Sequence, residues 1–280
     1  MTTSPLVSGQ WLEEHLGDPN IRIIEVGAQN DTSNYRHGHL PGALWFNWKD
    51  LCWHPSDREL VTAEELAARL GAVGIGSETT LVLYGDPVQY GSYAFWALKM
   101  AGHQDLRLLD GTRTKWKAEN RPLTMNIERF APVDYPAPVQ NNTPRLGRDA
   151  VRARLDEDGF LIIDARSPEE YSGERVSPAT SNFDHGAERK GRIPGAIHLF
   201  YKTLLNADDS FRSRDELAAI INAANIGPDK ADEIACYCRL SHRATLVWFA
   251  FKYLLGQDNV RVYDGSWTEW GSIVGFPIER

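Results

Sequence analysis

Glu233-Ile234-Ala235-Cys236-Tyr237-Cys238-Arg239-Leu240-Ser241-His242-Arg243 is the stretch whose reading decides the fold. Ile234 to Tyr237 are apolar and flanked by charge, the pattern of a short strand covered on both faces. From Ala244 to Leu255 the chain is apolar almost all round apart from Lys252, which describes a buried helix. A cysteine between two such elements lies where backbone N–H groups and the positive end of a helix dipole converge. That setting stabilises an anion, and the nucleophilic form of cysteine is the thiolate. Arg239 and Arg243 add two positive charges to the same loop. Cys238 is therefore the candidate nucleophile.

Outward from this stretch the sequence repeats itself. Ile23-Ile24-Glu25-Val26 is matched by Ile162-Ile163-Asp164-Ala165, and Gly38-His39-Leu40-Pro41-Gly42-Ala43 by Gly191-Arg192-Ile193-Pro194-Gly195-Ala196. Leu81-Val82-Leu83-Tyr84 is matched by Ile234-Ala235-Cys236-Tyr237. Asp110-Gly111-Thr112-Arg113-Thr114-Lys115-Trp116 is matched by Asp264-Gly265-Ser266-Trp267-Thr268-Glu269-Trp270. Anchors that recur in one order at so long a period mark two copies of a domain, not a short-repeat array. Residues 133–144, rich in Pro and Asn, read as a linker between domains at 1–132 and 145–280. Within each copy helix-like and strand-like segments alternate, which predicts an α/β fold: a parallel sheet with helices on both faces. Binding sites in such sheets lie at the carboxyl ends of strands, where Cys238 stands.

The copies differ in ways that bear on chemistry. Tyr84 is followed by Gly85-Asp86 where Tyr237 is followed by Cys238-Arg239, so only the second copy has a nucleophile. The second copy also carries a long polar insertion over 172–190, of the kind that is often functional.

Composition excludes some classes. A net charge of -8 argues against a general nucleic-acid binder. No apolar run is long enough to span a membrane, and the N-terminus has no basic start followed by an apolar stretch. Three cysteines suit a reducing interior, so the cytoplasm is the expected location. Cys236 and Cys52 read as core residues, and no cluster of His, Cys and acids suggests a metal.

Cys238 to Arg243 has the form Cys-x4-Arg. If successive amides of the loop point inward they form a concave anion nest. A charge pair at about 4 Å near a surface gains roughly 4 kcal/mol before desolvation. Two arginines and a helix end would thus depress a thiol pKa below its reference of about 8.5 and hold an anionic substrate.

Taken together, the His39 to Ala43, Arg192 to Ala196, Cys238 to Arg243 and Asp264 to Trp270 motifs resemble those of the two-domain rhodaneses, thiosulfate sulfurtransferases, over nearly the whole chain. The resemblance implies ping-pong transfer with no metal or organic cofactor. Cys238 would take the outer sulfur of thiosulfate, release sulfite, and pass the persulfide sulfur to cyanide or a thiol. It implies that Arg166 and Arg243 bind substrate, with Arg239 a second anion contact. Asp164 would orient the strand end, and the backbone of Leu240, Ser241 and His242 would cradle the persulfide. Arg175, in the insertion, is a weaker candidate. The loop also bears on the alternatives. Mercaptopyruvate sulfurtransferases carry a small neutral loop, whereas rhodanese-related phosphatases and arsenate reductases need Cys-x5-Arg, one residue longer than the loop here. A non-catalytic sulfur carrier stays open.

Overall fold

Apolar runs that alternate with helices along the chain become strands, and each half of the chain builds its own parallel sheet. The structure is a computed structural model, and residues 4–178, 187–227 and 230–280 are described. In the first half the strands are β1 (Leu6–Val7), β2 (Ile21–Gly27), β3 (Ala43–Asn47), β4 (Thr80–Gly85) and β5 (Leu106–Leu109). They form a five-stranded sheet in the order β1-β5-β4-β2-β3. In the second half β6 (Arg145–Leu146), β7 (Phe160–Asp164), β8 (Ile197–His198), β9 (Glu233–Tyr237) and β10 (Val260–Tyr263) repeat that order as β6-β10-β9-β7-β8. Every strand pair is parallel. Parallel neighbours need a crossover between them, which the intervening helices supply.

The chain divides into two compact units. Met1–Asn142 with Ala207–Ser210 make one, and Thr143–Asn206 with Phe211–Arg280 make the other. Residues 133–144 contain no helix or strand. Each unit has its own apolar cluster, one including Leu12, Ile23, Val82, Tyr84 and Trp116, the other Ile162, Ala235, Tyr237, Trp267 and Trp270. Tyr84, Tyr237 and the aligned tryptophans Trp116 and Trp270 hold equivalent places in them. Among the described residues no helix is long and apolar enough to cross a membrane.

β4 and β9 are the central strands. Register sets Glu25 opposite Tyr84 and Asp164 opposite Tyr237. In both units a carboxylate therefore sits beside the tyrosine that ends the apolar run of the central strand. The helix after β9 runs His242–Phe249 with all eight residues buried, and continues as a π-helix over Ala250–Leu254. It begins two residues before the apolar run that predicts it, because His242 and Arg243 are buried along with it. The edge strands β3 and β8 follow the Pro-Gly-Ala turns and were not readable as strands. β8 has only two residues, too few to show an alternation. The stems of the insertion, 172–178 and 187–190, are described, whereas 179–186 lie outside the described residues.

Candidate active site

Tyr237 ends β9 and Cys238 opens the loop, 1% exposed. The loop turns at Ser241, whose φ of 72° is left-handed. A non-glycine residue there costs on the order of 1–3 kcal/mol, so something must hold it. The Ser241 hydroxyl lies 2.5 Å from the Asp264 carbonyl oxygen and 3.0 Å from Asp264 Oδ1, both of which can accept its proton. Arg145 pairs with the other carboxylate oxygen of Asp264 at 3.1 Å. The turn after β10 holds the rest of the loop. Cys238 N–H donates to Ser266 Oγ at 3.2 Å, and Trp267 N–H donates to the Cys238 carbonyl at 2.9 Å. Thr268 donates to the Arg239 carbonyl from both its amide and its hydroxyl, at 3.1 and 2.9 Å. The duplicated Asp-Gly-Ser/Thr motif is thus the mould in which the cysteine loop is set.

The helix begins with Thr245 N–H donating to the Ser241 carbonyl at 2.9 Å. Among the described residues, the N–H groups of Leu240, Ser241, Arg243 and Ala244 have no acceptor. Unpaired amides on a turn entering a helix make an anion site, and the helix dipole adds to it. At Leu240 and Ser241 these amides overlap the Leu240, Ser241 and His242 backbone that the family resemblance implies as a cradle, and they extend it into the helix at Arg243 and Ala244.

The arginines part company. Arg243 is 8% exposed and forms a fork with Glu170, Nη1 to Oε2 at 2.6 Å and Nη2 to Oε1 at 2.9 Å. Burial opposes the charge on Arg243, but Glu170, the Cys238 sulfur and Tyr201 together outweigh it and raise its pKa. Burial likewise opposes the Glu170 carboxylate, yet Arg243 and the Ser167 N–H hold its pKa below the ordinary value. Glu170 is fixed by the capping box of the helix Pro168–Tyr171, in which Ser167 and Glu170 bond reciprocally. Arg243 therefore sits at the loop with its charge compensated; it is not a free substrate fork. Arg239 is 9% exposed, its carbonyl held by Thr268.

Arg166 is not open to substrate. It is wholly buried, and its guanidinium bonds Asp164 at 2.6 and 3.0 Å and the Gly191 carbonyl at 2.8 Å. The Tyr237 hydroxyl donates to the same carboxylate at 2.5 Å, and the Trp267 ring lies 4.6 Å from the guanidinium carbon. The first unit explains why. There Tyr84 donates to Glu25 at 2.5 Å, and Arg113, aligned with Trp267, donates to the Gly38 carbonyl at 3.2 Å. Gly38 is the counterpart of Gly191. At Gly27, the counterpart of Arg166, an added Cβ would come within 2.6 Å of the Trp45 indole. A partly buried arginine serves the same turn from a different element in the copy that has no cysteine at the loop position, which points to a structural role for Arg166. Asp164 does orient the strand end, since its carboxylate also accepts the Arg166 N–H at 2.9 Å.

Among the described residues the first unit shows no such cup. An added Cβ at Gly85 would lie 2.5 Å from the Gly91 nitrogen and 2.8 Å from the Pro87 oxygen. Asp86 is taken by Arg113 at 3.4 Å and Thr114 at 3.2 Å. Cys236 is fully buried one strand position before Tyr237, and burial pushes its thiol pKa up, with the Cys238 sulfur adding to the effect. Burial does the same to Cys52. All three cysteines are free thiols. Arg175 is half-buried and borders Glu174 on the insertion stem at 4.0 Å. Sequence reasoning missed Glu170 and Ser266. The first carried a signal in Ser167-x-x-Glu170, and the second in the duplicated motif around Asp264.

Residues 8–119 and 148–273 each match the family model described as Rhodanese-like domain. The chain belongs to the rhodanese family. Similar rhodanese relatives cover almost all of it. A sulfur carrier protein, TtuD of Thermus thermophilus, is 41% identical over 98% of this chain and 96% of its own. A Haloferax volcanii protein provisionally named a thiosulfate sulfurtransferase is 38% identical over the same shares. Among solved structures, EanB with a cysteine persulfide, in a tetrahedral intermediate state with ergothioneine, superposes with a TM-score of 0.84. That match is 25% identical and covers 98% of this chain and 70% of EanB. The rhodanese assignment brings with it the activity class of sulfur transfer or sulfur carriage, on small sulfur donors and acceptors.

Proposed function

We propose that the second domain, residues 145–280, is a thiosulfate sulfurtransferase whose nucleophile is Cys238, and that the first, residues 1–132, joined by the 133–144 linker, has no chemistry of its own. The Cys238 thiolate attacks the outer sulfur of thiosulfate, the S–S bond breaks, and sulfite leaves with the bonding pair. Cyanide or a thiolate then attacks the outer sulfur of the persulfide and regenerates the Cys238 thiolate. No external oxidant or reductant is needed, and no metal or organic cofactor enters the scheme.

The observation that carries this reading is the unpaired N–H set at Leu240, Ser241, Arg243 and Ala244 beside a cysteine at the end of the central strand. Such a cup would stabilise the persulfide anion retained on Cys238. We assign Arg239 to the donor's anionic end and the backbone of Leu240, Ser241 and His242 to the cradle. Arg243 acts through its charge and Arg166 through the fold. The loop is one residue shorter than the Cys-x5-Arg form, which counts against phosphate or arsenate as substrate. The free thiols suit a reducing compartment, and we place the protein in the cytoplasm.

A sulfur carrier is the second reading, favoured by the name of the 41% identical relative. Following thiocyanate after successive addition of thiosulfate and cyanide, beside a parallel reaction with 3-mercaptopyruvate, separates the possibilities. Multiple turnovers with thiosulfate, faster than with 3-mercaptopyruvate, are expected. A persulfide formed without turnover would instead assign a carrier, and faster use of 3-mercaptopyruvate would overturn the donor.

A further inference from the structure

We propose that Glu170 is a positioning residue that tethers Arg243 and limits how much of its positive charge reaches the Cys238 sulfur. The proposal deepens the sulfurtransferase reading and rests on it for its meaning in catalysis. Glu170 comes from the helix Pro168–Tyr171 that follows β7, not from the cysteine loop or β9. Its side chain is completely buried, and both carboxylate oxygens are committed to Arg243. A planar guanidinium held by a matching fork has one orientation. The same carboxylate that fixes the arginine also offsets its field. A cysteine loop with two bare arginines would hold its thiolate strongly but also grip a doubly charged product. With Arg243 compensated, the loop holds a departing sulfite less tightly.

Charged and titratable groups near the loop come from several elements. Arg239, His242 and Arg243 belong to the loop and helix start, and Cys236 to β9. Tyr201 acts on Arg243 from the 3-10 turn Tyr201–Leu204, and Asp264 stands behind Ser241. Of these, Asp264 is the other carboxylate, and it is tied to Arg145. Glu170 is thus the acid whose removal changes the charge at the loop without undoing the turn that shapes it.

The test is the pH dependence of alkylation of Cys238 by iodoacetamide, read on the Cys238 peptide by mass spectrometry. It needs no sulfur donor, so its failure is separate from a failure of sulfur transfer in the unmodified protein. Glu170→Gln is expected to move the inflection to lower pH by about one unit, a roughly tenfold higher rate below the inflection. Arg243→Gln is expected to move it up, and adding Glu170→Gln to that variant is expected to bring it back down. The comparison of Arg243→Gln with the double variant keeps the test open if Glu170→Gln alone does not fold. An unmoved or raised inflection in folded Glu170→Gln, or identical inflections for Arg243→Gln and the double variant, would overturn the proposal.

Discussion

Ser266 Oγ accepts the N–H of Cys238 at 3.2 Å while its own proton goes to the Tyr263 carbonyl at 3.0 Å. Cys238 is thereby anchored through its backbone to the turn after the neighbouring strand. Ser266 itself is buried at a φ of 53°, a second left-handed serine beside Ser241. Ser266→Ala should strand the Cys238 amide and the Tyr263 carbonyl. The expected stability loss is about 1–3 kcal/mol, the cost of leaving buried polar groups unpaired. Persulfide formation should slow more than the fraction unfolded explains, which stopped-flow measurement on folded protein checks.

Arg166 should behave as a structural residue. Arg166→Met leaves Asp164 buried without its cation, and the cost of breaking such a pair is about 3–5 kcal/mol. Urea unfolding would register that loss. In the protein that remains folded, the KM for thiosulfate should change less than about threefold, because no substrate contact has been removed. A KM raised tenfold or more with stability intact would restore Arg166 as a ligand.

The first unit should not accept a nucleophile at the position aligned with Cys238. Gly85→Cys introduces a Cβ 2.5 Å from the Gly91 nitrogen, which is backbone and cannot swing aside. Destabilisation of about 1–3 kcal/mol is expected, as for other overpacked sites. The combined Gly85→Cys, Cys238→Ser protein should form no thiocyanate; measurable turnover would show that the first loop can open into a working cup.

Acid should weaken the second unit through Glu170. Its pKa is lowered on folding, so its contribution to stability is complete above the unfolded carboxyl pKa of 4.5 and is lost as pH falls through the lower folded value. Glu25 has the opposite sign. Burial raises its pKa against the pull of Tyr84 and Arg113, so its contribution is present below 4.5 and is lost as pH rises through the folded value. Denaturant midpoints against pH should therefore fall more steeply on acidification for the native protein than for Glu170→Gln. For Glu25→Gln the loss on acidification should be the steeper one.

Much of this was legible in the chain, for identifiable reasons. Cys238 stands out as the candidate because a strand, a basic loop and an apolar helix follow one another without a gap, so sequence order and spatial order coincide. The duplicated anchors exposed the two sheets because Tyr84 and Tyr237 hold equivalent places on the two central strands. Partnerships across the fold were hidden. Glu170 reaches Arg243 across 73 positions of sequence, and no local pattern marks one as the other's mate. In the sequence Arg166 reads as a ligand because it matches the substrate-binding arginine that the family resemblance implies after the Asp164 strand end. Only its stacking against Trp267, and the substitution of Arg113 in the other copy, reveal its structural work. The two-residue β8 was too short to carry any periodicity.

Peptide-resolved mass spectrometry after exposure to thiosulfate tests sulfur transfer through Cys238 most directly. One added sulfur atom on the peptide bearing Cys238, removed by cyanide and absent from Cys238→Ser, is the expected result. No added sulfur, or sulfur retained on Cys52 or Cys236 in that variant, would contradict it.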